Sequence, residues 1–140
     1  MRGMVTMLVA AALLASTGVD AADKRQKIRL PAMMREHMLA NMRDHLQALQ
    51  EIQTALAEGK LDLAADVAER RLGMSSLEAH GAAHMAPYMP QPMREIGTEM
   101  HHAASRFARS AQEGDLAKAL ADLSGITRQC VACHASYRVH

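Results

Sequence analysis

GDLAKALADLSGITRQCVACHASYR, residues 114–138, decides the fold. Gly114 ends one helix, and Asp115, a good N-cap residue, starts the next. Leu116, Leu120, Leu123, Thr127, Cys130, His134 and Tyr137 then recur at spacings of three and four. That period predicts one helical stripe running to about residue 138. No strand alternation interrupts it, and none is visible elsewhere in the chain.

Three more helices read the same way. Residues 31–58 carry Leu39, Met42, Leu46, Leu49, Ile52 and Leu56, between Pro31 in the first turn and Gly59 past the C-cap. Residues 61–72 carry Leu61, Ala64, Ala65, Ala68 and Leu72, with Gly73 as their stop. Residues 92–113 carry Met93, Ile96, Met100, Ala104, Phe107 and Ala111. The short turns at Gly59-Lys60 and Gly114-Asp115 predict two antiparallel hairpins. A long connection, residues 73–92, joins them and holds Gly73, Gly81, Pro87, Pro90 and Pro92. The expected fold is all-α, an antiparallel four-helix bundle. With no Trp, one Phe and two Tyr, aromatic side chains cannot fill its core. Twelve Met and many Ala and Leu suit a bundle with a flat guest between its helices.

The last helix carries Cys130-Val131-Ala132-Cys133-His134, the C-x-x-C-H pattern of c-type haem attachment. Helical spacing sets Cys130, Cys133 and His134 on one face. One covalent c-type haem is therefore expected, with Cys130 and Cys133 as thioether positions and His134 as an axial iron ligand. No other cysteine exists to compete. A thioredoxin-like pair would open a helix after a strand, and a structural zinc site would need two more ordered ligands.

Residues 1–21 read as a signal peptide: Arg2, an apolar run from Met4 to Ala15, and Val19-Asp20-Ala21 before cleavage. The apolar run is too short to span a bilayer, so no stable membrane anchor is expected once it is removed. Residues 22–140 form the single expected domain, in the periplasm. Formal net charge is +1, with or without the leader, and gives no argument for nucleic acid or an anionic membrane.

An exported helical bundle with C-x-x-C-H on its last helix, followed by Tyr137-Arg138, resembles the class II c-type cytochromes, the cytochromes c-prime and their low-spin relatives. The resemblance covers the chain from about residue 30 onward. It implies Cys130 and Cys133 as thioether positions, His134 as the proximal ligand, and Arg138 as the family's basic residue near that imidazole. It also implies a distal residue from the first helix, and a homodimer through the first two helices is common in the family. The long connection departs from the simple family pattern.

The first helix offers Met33, Met34, Met38 and Met42 as distal ligands. Counting back from Gly59 as far as Asp115 lies from His134 reaches Ala40. Met42 is preferred, being nearest that level and central in the apolar stripe, with Met38 as the alternative. His37 and His45 lie near the same level, but their charged neighbours Arg35, Glu36, Arg43 and Asp44 read as solvated surface. His80, His84, Met85, Met89 and Met93 interleave in the connection, a composition that suits copper, and His101 and His102 could join them. The preferred reading is a Met-rich cover over the haem edge. Glu69-Arg70-Arg71 reads as a solvated face. No acid–base dyad, activated nucleophile or phosphate loop is visible, so the expectation is a periplasmic electron carrier serving redox partner proteins, not an enzyme. The alternatives are a five-coordinate haem protein binding NO or another small gas, and a copper-handling haem protein.

Overall fold

The computed structural model describes residues 22–139; the expected leader and His140 lie outside the described residues. The chain is mostly helical. Strand β1 (Gln26–Ile28) leads into α1 (Ala32–Ala57) and α2 (Leu61–Arg71), then α3 (Ala82–Met85), α4 (Gln91–Gln112), α5 (Leu116–Ser136) and strand β2 (Tyr137–Val139). Among the described residues no helix is long and apolar enough to cross a membrane.

Local chemistry sets the helix ends where the sequence puts them. Gly59 and Gly114 have φ of +70° and +78°, the left-handed conformation that ends α1 and α4. Asp115 Oδ1 accepts the backbone N–H of Lys118 at 2.9 Å and caps α5. Pro31 and Pro90 stand at the N-caps of α1 and α4.

Helix α2 packs on both α1 and α4, and α4 packs on α5. The contact lines are built from alanine: Ala48, Ala55, Ala64, Ala68, Ala104 and Ala108 are all buried. Small side chains let helix axes approach closely, while Ile52, Leu72, Phe107 and Ile126 fill the space between. The expected stripes hold on α2, at Ala64, Ala65, Ala68 and Leu72, and on α4, at Met93, Met100, Ala104, Phe107 and Ala111, but are rotated on α1 and α5. On α1 the buried row is Met38, Asn41, Ala48, Ile52 and Ala55; Leu39, Met42, Leu49 and Leu56 are only half-buried, and Leu46 is 71% exposed. On α5 the buried residues are Ala119, Leu123, Gly125 and Ile126, and Leu116 and Leu120 face solvent.

Charge also ties α1 to α2. Arg71 holds Glu51 Oε2 at 2.6 Å and reaches Asp44 Oδ1 at 2.5 Å. Of the expected solvated trio only Arg70 stays on the surface, paired to Asp66. Glu69 instead accepts from Ser75 N–H and Oγ, tying down the turn after α2.

One helix boundary is corrected. The last helix stops at Ser136, because residues 137–139 turn extended and pair in parallel with β1. The register is Gln26↔Tyr137, Lys27↔Arg138 and Ile28↔Val139, with Ile28 buried under the pair. The connection between α2 and α4 is ordered. It winds into 3-10 turns at Met74–Ser76 and Ala86–Tyr88 around α3, and it buries Ser76, His80 and Met85.

Candidate functional site

Cys130, Cys133 and His134 occupy the last two turns of α5, so the helix pitch gives them a common side. The Cys130 thiol donates to the Ile126 carbonyl at 3.4 Å and packs against the core. Cys133 is half-buried, and neither sulfur is in a disulfide. Burial pushes both thiols above their ordinary pKa, and the neighbouring Cys130 adds to the rise at Cys133. A dithiol redox pair works through a depressed thiol pKa, so this pair is tuned the opposite way. The His134 side chain is exposed, and its backbone carbonyl accepts from Arg25 Nη1 at 3.3 Å.

The N-terminal segment closes on the same place. Asp23 pairs with Arg25 and lies 3.4 Å from Arg138 Nε. The hydrogen bonds from Arg25 hold the Asp23 carboxyl far below the usual range. With β1 on β2, this segment sets the start of α1 at the end of α5 that carries the Cys and His residues. The two helices themselves make no extensive contact. Of the expected distal candidates, Met38 is 9% exposed, in the core, and Met42 is half-buried on the flank of α1 with Leu39.

A second constellation joins residues that the sequence kept apart. His45 from α1, His80 from the connection and His101 from α4 bring their rings together in tilted and edge-on contacts. Their centroids lie 4.7, 5.4 and 6.3 Å apart. His80 and His101 are buried, and Nε2 of His45 is buried with no hydrogen-bond partner among the described residues. Asn41 Nδ2 donates to the His80 carbonyl at 2.9 Å and locks the connection onto α1. Ser76 Oγ donates to the Gly73 carbonyl at 2.7 Å, so toward the rings it can only accept. His80 Nδ1 lies 3.3 Å from that oxygen, and His101 Nδ1 lies 2.7 Å from the Leu72 carbonyl. Both Nδ1 atoms therefore carry the hydrogen, and each Nε2 keeps a lone pair.

His45 thus departs from the expected surface position, while His37, His84 and His102 stay exposed. A signal for this existed. His45 falls in step with Asn41, Ala48 and Ile52, and His101 in step with Ala104 and Ala108, at spacings of three and four. The charged residues beside His45 masked it.

No family model, curated protein or solved structure matches this chain.

The cluster sets a pH limit on the fold. Burial first, then the fields of His80 and His101, push His45 down to about 4. His80 and His101 are lowered too, mainly by burial. The Asp44 carboxylate pulls His45 the other way, but Arg71 occupies and offsets it. The unfolded chain then binds protons at these sites more readily than the folded one. Stability is full above about pH 6.5 and drains as pH falls toward 4, by about 3 kcal/mol for His45 alone. Urea midpoints of chelator-treated protein should drop steeply between pH 7.5 and 5, and His45→Gln should flatten that drop. A midpoint unchanged over this window would contradict the buried neutral cluster.

Proposed function

We propose that this chain is an exported c-type cytochrome that carries electrons. One haem is held covalently by Cys130 and Cys133, with His134 as the proximal iron ligand. The reading rests above all on C-x-x-C-H along one side of α5, with two protonated, unbridged thiols and an exposed imidazole. Cys130 and Cys133 would hold the haem through thioether bonds, each S–H adding across one vinyl group, a redox-neutral linkage that needs no oxidant. Haem bound there would supply a one-electron iron couple.

The chain's own residues would orient and shield that group. Helices α1 and α5 make no extensive contact, which supports a flat guest between them in an antiparallel four-helix bundle. Half-buried Leu39, Met42 and Leu49 give α1 an apolar flank suited to covering it. The half-buried His45 ring is packed against His80 and His101, which argues for a Met rather than that His as distal ligand. The resemblance to the class II c-type cytochromes, the periplasmic location and the redox partner proteins belong to the same proposal.

Absorption spectra test it. The wild type should show sharp low-spin bands and weak Met–iron charge transfer. Met42→Ala should turn it five-coordinate or water-bound, lower its reduction potential and open it to CO and NO. Met38→Ala should mainly loosen packing, by roughly 2–5 kcal/mol. The spectral change in Met38→Ala instead moves the ligand one turn down α1. A wild type that is already high-spin and binds NO replaces electron transfer with gas binding.

A further inference from the structure

We propose that His45, His80 and His101 form a three-imidazole site for a late first-row transition-metal ion, zinc or copper. The inference rests on no part of the haem reading. Three observations converge on it. The first is position. With metal–nitrogen bonds of ~2.0–2.1 Å and a ring centre ~1.1 Å beyond each nitrogen, three imidazoles on one ion hold their centroids ~5 Å apart. The observed separations of 4.7, 5.4 and 6.3 Å bracket that value.

The second is tautomer. Metal-bound imidazoles as a rule donate their other N–H to a backbone carbonyl, a carboxylate or another oxygen, which fixes ring and lone pair. His101 does so to the Leu72 carbonyl and His80 to Ser76 Oγ, which leaves Nε2 of both rings as the lone-pair atom. The third is the buried His45 Nε2, which has no hydrogen-bond partner among the described residues. A buried polar atom without a partner costs about 1–3 kcal/mol, and a coordinate bond would satisfy it. Among the described residues no group of three or more His, Cys, Asp or Glu side chains is already set as a metal site. Capture therefore requires a local adjustment, and His45 can turn its Nε2 without breaking a hydrogen bond there, while His80 and His101 keep theirs. An all-imidazole set with no carboxylate favours zinc and copper over magnesium, calcium or manganese.

Full-length protein, its haem content recorded separately, is titrated with Zn2+ and, under reducing conditions, with Cu+ against a chromophoric chelator. One ion should bind per chain, and preference for either ion supports the site and names its occupant. His45→Phe should weaken binding by about a hundredfold or more while keeping the helical circular dichroism. His84→Ala/His102→Ala, which changes two exposed rings, should leave binding unchanged. On the wild type itself, long-range 1H–15N spectra should show the metal shifting Nε2 of His45, His80 and His101. That reading does not depend on any variant folding. Equal binding by wild type and His45→Phe, loss of binding in His84→Ala/His102→Ala, no 1:1 binding, or shifts confined to exposed histidines would each overturn the site.

Discussion

Protein matured alongside a haem-attachment system should keep its haem through acid–acetone extraction. The pigment should migrate with the polypeptide on a denaturing gel, because a thioether survives conditions that strip a coordinate bond. Cys130→Ala/Cys133→Ala should abolish the coloured band altogether. Cys130→Ala alone should leave one linkage or no holoprotein, since Cys133 and His134 remain on the helix but the first attachment point is lost. Helical pitch aligns the two sulfurs with His134 only when all three sit in α5. Haem freed into the acetone from wild-type protein, with intact apoprotein left behind, would sink the c-type reading. The metal proposal for the histidine cluster would be untouched by that result.

Phe107→Ala should cost about 3–5 kcal/mol, a large part of the 5–15 kcal/mol typical of a domain. Phe107 is the chain's only phenylalanine and is fully buried in α4. The core cluster on that helix is Met100, Ala103, Ala104, Ala108 and Ala111. Alanine has no rotamer to swing into a void, so only Met100 and the cluster's Ile52, Leu72, Leu123 and Ile126 can move to shrink the cavity. Met33→Ala, at a side chain 87% exposed, is the matched control and should change little. Urea unfolding of the two variants reads the difference directly. A loss under about 1 kcal/mol at Phe107 would mean that the alanine-lined core repacks freely.

Helix boundaries were legible because their signals are local. Pro31, Gly59, Gly73, Gly114 and Asp115 act through their own φ angles and hydrogen bonds, and the helices start or end within a residue or two of them. The buried faces were less legible. Weighting leucine and methionine pointed the stripe of α1 at Leu39, Met42 and Leu46. Close packing selected Ala48 and Ala55 for the contact line and left the larger side chains on the flank. The C-x-x-C-H residues needed only α5 to be a helix. The histidine cluster needed α1, α4 and the connection to meet, and no pattern in any one segment announces that. Strand β2 was missed for a related reason. Three residues carry no period, and only pairing with β1 makes them a strand.

That pairing has a consequence for the order in which the chain folds. Arg25 and His134, which the strand pair brings together, are separated by 109 residues. Closing so long a loop carries an entropic penalty that two three-residue strands cannot offset alone. The helices must assemble first, and the ends join afterwards as a late clasp. Until it shuts, Arg25 has not reached the His134 carbonyl, and the last turn of α5 lacks that anchor. Amides of residues 26–28 should accordingly be the last to gain protection in pulsed hydrogen exchange during refolding.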